Sequence, residues 1–149
     1  MKPIRQQRRR EQTDIEHRLI DLRRVGRVVA GGRRFSFRAS VVVGDKKGRV
    51  GFGIGKGADT AAAIAKALLK AKKTMIRVPL TSQGGIARMV EAKFGSSRVR
   101  IKPVRQGKGL LAGVPARVVF SLAGIQEASV KILSHSANRI NNASAIIAA

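Results

Sequence analysis

Three short stretches carry residue types that could do chemistry. Gly55-Lys56 stands between an alternating apolar run and a helical pattern, where a phosphate-cradling loop would sit. That motif asks for glycine at the place of Val50 and serine or threonine at Gly57, so it fails twice. Gly107, Gly109 and Ala112 fit the dinucleotide pattern in its alanine form, and Glu127 lies at a suitable remove for a ribose contact. A dinucleotide site also needs more parallel strands than the rest of the chain can supply. Ser134 and His135 are adjacent, with no acid in recognisable relation to them, and Asp45, Asp59, Glu91 and Glu127 are scattered singly. Acid-base and metal chemistry both need such groups to converge. Each therefore has a structural reading: Asp45 forms a turn, whose chemistry Asp45→Asn should keep while removing only an acid, Asp59 is a charge at a helix start, and His135 is a loop residue. With no cysteine and two histidines, thiol nucleophiles and thiolate metal sites are excluded and a zinc site is not expected. The expectation is no catalytic residue, no metal and no cofactor.

What the chain has in quantity is positive charge. Its 31 lysines and arginines against 8 acids leave +23 on 149 residues, far more than solubility needs and self-repelling without a polyanion. Nucleic acid is the leading partner. A membrane surface would call for a basic amphipathic helix with aromatic or leucine anchors, which is absent, and there is no transmembrane run. Five phenylalanines and no Trp or Tyr make few platforms for stacking bases, which favours phosphates and helical shape over single-stranded readout. A small-molecule substrate is not expected. With 44% apolar residues the chain can bury a core, as one ordinary domain or two small ones.

The elements that must position this charge are legible in outline. Residues 1–14 read as a disordered basic arm, with Arg5, Arg8, Arg9 and Arg10 and little to bury, and without the marks of a signal or transit peptide. From Thr13, a capping box with Glu16 and the spacing of Ile15, Leu19 and Leu22 predict a short helix. A hairpin follows, its first run placing Phe35, Phe37, Ala39, Val41 and Val43 on one face, and its turn made by Gly44 to Gly48. Its other face should be open and basic. In the second run Val50, Phe52 and Ile54 take the core face, leaving Arg49, Gly51, Gly53 and Gly55 opposite, a bare strip that another backbone or a ligand must approach. Ala58 to Arg77 predicts a helix with Ala61, Ile64, Leu68, Ala71 and Met75 on one stripe and Lys66, Lys70, Lys73 and Arg77 on the other. Pro79 ends this half. Strands are then expected over Arg88–Phe94, Arg98–Val104 and Ala128–Leu133, with helices from Pro115 to a stop at Gly124 and over Ile140–Ile147, the latter capped by Asn138.

GGRRFSF from Gly31, VVVGDKKGRVGFGIGKG from Val41 and KFGSSRV from Lys93, in this order, resemble the bacterial-type small-subunit ribosomal protein five family. The resemblance runs from about Arg27 to Ile147. It implies an α+β protein of two small domains: a double-stranded RNA-binding-like β-β-β-α half over residues 15–78, then a β-β-α-β-α half over 79–149 with a left-handed βαβ crossover. It places an edge strand where the spacing alone predicts a helix before Leu22. It further implies a structural constituent of the small subunit, in the cytoplasm or an organelle. The protein would bind ribosomal RNA at the junction of head and body near the messenger RNA path, beside ribosomal proteins four and eight, with a role in decoding accuracy. A free RNA chaperone or double-stranded RNA-binding regulator is the alternative that the same charge allows.

The candidate RNA-binding residues follow from charge, glycine placement and this resemblance. In the first half they are Arg24, Arg27, Gly31, Gly32, Arg33 and Arg34 around the loop, which the family associates with spectinomycin sensitivity. Arg38, Lys46, Lys47, Arg49, Gly53, Gly55 and Lys56 lie along the hairpin, and Lys66, Lys70 and Lys73 on the helix. Ser96, Ser97, Arg98 and Lys102 belong to the second half. Gly109 and Arg117 match positions at the family's contact with ribosomal protein four. The chain departs from the family's pattern at Gly85, Ala87 and Arg88, at Lys108 in place of a usual threonine, and at Arg139 in place of a usual proline at the last helix start.

Overall fold

The computed structural model describes residues 15–81 and 84–149, so the basic arm expected over residues 1–14 lies outside the described residues. The first sheet has the order β1-β2-β3-β4, from β1 (Glu16–Val29), β2 (Gly32–Gly44), β3 (Arg49–Gly57) and β4 (Ile76–Arg77), with α1 (Thr60–Lys73) between the last two. The second has the order β5-β6-β8-β7, from β5 (Val90–Phe94), β6 (Ser97–Lys102), β7 (Leu110–Leu111) and β8 (Ala128–Ile132). Here α2 (Val114–Ala123) joins β7 to β8, and α3 (Arg139–Ala148) follows β8. The α+β class stands, with two short strands, β4 and β7, that the sequence reading did not contain. Leu110 pairs with Ala128 in parallel, so β7-α2-β8 has the connectivity of a βαβ unit.

The helix predicted before Leu22 is a strand. Its spacing misled for a specific reason: the β1–β2 register slips between Leu19 and Asp21, so Leu19 faces Val41 and Leu22 faces Ala39. A bulge inserts one residue into the strand. Two leucines three apart then share a face, which imitates helical periodicity in a chain that is extended throughout. The extra residue, Ile20, packs against the larger core instead.

The bare strip of β3 explains α1. A Cβ placed on Gly51, Gly53 or Gly55 would stand 2.3, 2.2 or 2.3 Å from the carbonyl oxygens of Ala71, Ala67 and Ala63 respectively. Two residues of strand and four of helix both advance about 6–7 Å, so the glycines and the helix alanines stay in step over three contacts. Helix backbone therefore lies directly on strand backbone, and Ala63, Ala67 and Ala71 are fully buried against Ala39, Val41 and Val43. This replaces the predicted stripe in part. Ala61 is exposed, while Ile64, Leu68 and Met75 flank the alanine row. The helix also stops earlier than expected, at Thr74, whose hydroxyl donates to Phe52 O at 2.9 Å. Arg77 belongs to β4, opposite Arg49.

The other face of the hairpin is not open. Val42 and Val50 join Val99, Ile101, Val119, Phe120, Leu122 and Ile146 in one core, so both faces of β2 are buried and the two sheets share the larger cluster. The Gly44–Gly48 turn is clamped to the end of α2. Lys46 N donates to Leu122 O and Gly48 N to Ala123 O, each at 2.9 Å. These bonds satisfy carbonyls that a helix end leaves without partners. The approach is close enough that a Cβ on Gly44 would meet Leu122 O at 2.2 Å, and one on Gly124 would meet Lys46 O at the same distance. Gly124 ends α2 at φ +83°, as the sequence pattern required. Asn138 caps α3, its Oδ1 accepting from Ile140 N at 3.1 Å, so the helix starts at Arg139 without the family's proline.

Candidate nucleic-acid interface

Beyond the core, β1 and β2 continue as a two-stranded ribbon to a tip at Ala30 and Gly31. Pairing of Arg27 with Arg34 and of Arg23 with Arg38 puts these four arginines on one face, and Lys56 joins them opposite Arg38. Arg24 and Arg33 lie on the other face. Gly31 and Gly32 are exposed at the tip, and a Cβ on either would meet nothing within 4 Å. The loop surface is thus bare backbone ringed by Arg27, Arg33 and Arg34. Arg38 is the most constrained of the set: Asp21 Oδ2 lies 4.0 Å from its Nη2 and 3.0 Å from Arg23 Nε.

Lys46, Lys47 and Arg49 lie at the far end of β2, roughly 40 Å of strand from the tip, and cannot share a contact with it. Both lysine side chains reach solvent, Lys46 with an ion pair to Glu16, although the turn backbone is taken up by α2. Arg49 is an anchor. Its Nε donates to Asp45 Oδ2 at 2.6 Å, while Asp45 Oδ1 accepts from Lys47 N and Arg49 N at 2.8 and 2.9 Å. Burial alone would push the Asp45 carboxyl up, but the Arg49 side chain, the two backbone N–H groups and the Arg49 charge together hold it below its ordinary value. Asp45 is therefore a buried, fully engaged carboxylate, and the expectation that Asp45→Asn leaves the turn unaffected is corrected.

Two glycines and a serine expected at the RNA surface are enclosed by the fold instead. Gly53 and Gly55 are buried under α1 and face no ligand, and Ser97 is wholly buried, so none of the three can touch RNA. Lys66, Lys70 and Lys73 are exposed along α1 on the side away from the sheet. Ser96 is exposed and bonds the Ser136 hydroxyl at 3.2 Å.

In the second sheet, Ser97, Val99 and Ile101 point into the core, and Arg98, Arg100 and Lys102 therefore line the opposite face. Lys93 sits opposite Arg98 and Lys131 opposite Arg100, which makes a five-cation patch with Glu91 set into it, 3.8 Å from Arg98 Nε and bonded to Arg100. Arg23, Lys93, Arg100 and Lys131 were absent from the sequence candidates. Cross-strand register assembles them, and only the alternation of β6 hinted at it. Gly109, half-buried at φ +66°, precedes β7, and Arg117 is exposed in the first turn of α2. The dinucleotide pattern has another use: Glu127 Oε1 accepts from Gly107 N at 2.7 Å and closes that loop.

The fold and its charge define a strongly basic two-sheet α+β protein. Residues 15–79 match the family described as ribosomal protein S5, N-terminal domain, and residues 92–149 match ribosomal protein S5, C-terminal domain. The chain belongs to the ribosomal protein S5 family. Among similar proteins is the small ribosomal subunit protein uS5c of Guillardia theta, 42% identical over 135 residues, which are 91% of this chain and 79% of the relative. Small ribosomal subunit protein uS5 of Anaplasma marginale (strain Florida) is 49% identical over 123 residues, 83% of this chain and 71% of the relative. That of Thermosynechococcus vestitus is 42% identical over 139 residues, 93% and 79% respectively.

Proposed function

We propose that this protein is a structural, non-enzymatic constituent of a bacterial-type small ribosomal subunit. It binds small-subunit ribosomal RNA, near the junction of head and body and the messenger RNA path, and supports assembly and decoding accuracy. One observation carries the reading. The ribbon's cationic face, the outer row of α1 and the free face of the second sheet are all cation-rich surfaces that none of the described residues covers. Such surfaces neutralise phosphates from several directions, which suits a protein embedded between RNA helices. The names of its relatives, all small ribosomal subunit proteins, support the same assignment. In this reading Gly31, Gly32, Arg27, Arg33 and Arg34 contact RNA at the ribbon tip. Gly109 and Arg117 face ribosomal protein four, with ribosomal protein eight another neighbour, and the β7-α2-β8 unit has the left hand of the family. Sedimentation tests it: in a lysate at moderate salt the full chain should travel with small subunits, and crosslinks from the ribbon tip should map to ribosomal RNA. A chain found mainly in the light fractions would instead be a free RNA-binding regulator.

A further inference from the structure

Phe35 is a large apolar side chain left at the surface. Phe37, two residues on, packs against the α1 cluster, but Phe35 belongs to neither core and is 49% exposed. It is nevertheless held in place. Its cross-strand partner is Gly26, and the edge of the ring lies so close that a Cβ there would stand 3.3 Å from Phe35 Cε1. Arg24, diagonally across the ribbon, sets its guanidinium carbon 4.3 Å from the ring centroid. A guanidinium stacked on an aromatic ring is held flat, and its outer face remains open to a third planar group.

We propose that Arg24 and Phe35 form a stacking platform for a single unpaired nucleobase, on the ribbon face opposite Arg27, Arg34 and Arg38. This rests on the reading of the protein as an RNA binder and adds to it a division of labour. One face neutralises phosphates, and the other receives a base that has left its helix. An exposed ring beside an arginine suits a base better than a phosphate, because every base has a flat face and the ring offers a phosphate no hydrogen-bond donor. The mundane use of Phe35 is to shield Gly26, since an aromatic ring across from a strand glycine stabilises the pair. The variants below separate the two.

The test uses the full chain and two RNAs, a duplex of about 16 base pairs and the same duplex with one unpaired purine at its centre, each titrated over a series of salt concentrations. The wild type is expected to prefer the second RNA by about tenfold, the usual worth of one stacked base. Arg24→Lys, which keeps the charge and leaves Phe35 on Gly26, and Phe35→Leu should both abolish the preference, and Phe35→Leu should do so without changing the salt slope on the paired duplex. Phe35→Trp should retain it. A wild type with steep salt dependence and no preference overturns the platform and leaves RNA binding standing, whereas failure to bind either RNA overturns both. A preference that survives Arg24→Lys does not come from the Arg24–Phe35 pair. Variants that keep the preference but no longer travel with small subunits make the patch a protein contact, and either result overturns the proposal.

Discussion

At the scale of single residues, Asp45 carries the sharpest consequence. Its carboxylate is 3% exposed and accepts three hydrogen bonds, one from a cation. Asp45→Asn should cost about 2 kcal/mol at neutral pH, since a charged acceptor is lost and an amide N–H₂ is turned toward a donor. The folded pKa lies below the unfolded one. The stabilisation is therefore complete above about pH 4, near the ordinary value for Asp, and is lost as pH falls through the depressed folded value. Thermal melts across this range should show the wild type losing stability more steeply than Asp45→Asn as the medium acidifies, and parallel curves would contradict the assignment. The two tip glycines differ in kind. Gly32 has φ +137° and Gly31 has no such constraint, while both have open space where a side chain would go. Gly31→Asp should leave the melting temperature within a degree or two and weaken RNA binding. Gly32→Asp should do the same to binding and also cost about 1–3 kcal/mol through backbone strain. Equal binding by Gly31→Asp and wild type would remove the tip from the RNA contact.

At the scale of elements, the glycine strip of β3 sets the distance of α1. Gly53→Ala should lower stability by about 3 kcal/mol or more, because its methyl would meet the α1 backbone at both Ala67 and Ala71, where no side chain could yield. A melt like that of the wild type would mean that α1 is not seated as described. Much of this scale was legible in the sequence. The bare strip announced a close approach, and the Pro and Gly around α2 and the Asn before α3 fixed those helices. What was hidden was non-local. Nothing in Gly51, Gly53 and Gly55 says whether backbone or ligand arrives, since a glycine reports room and not its occupant. The bulge at Leu19 to Asp21 disguised a strand because its effect depends on the partner's register. The patch of Lys93, Arg98, Arg100 and Lys131 exists only once three strands are paired, and the second buried face of β2 only once the halves meet.

At the scale of the whole molecule, a net charge of +23 spread over several faces predicts that many phosphates are engaged together. Affinity for structured RNA should fall steeply with salt, by tenfold or more between about 50 and 200 mM, and an affinity flat over that range would contradict the interface. The shared core has a consequence in time. The cluster beneath α1 is complete once Met75 has been made, for its members all lie between Ile15 and Met75. The face of the same sheet that carries Val42 and Val50 must wait for Phe120, Leu122 and Ile125. At the usual pace of synthesis the intervening 50 residues take about 3–10 s. For those seconds a strongly basic half-molecule, with every residue of its own cluster already made, carries a valine face whose partners do not yet exist.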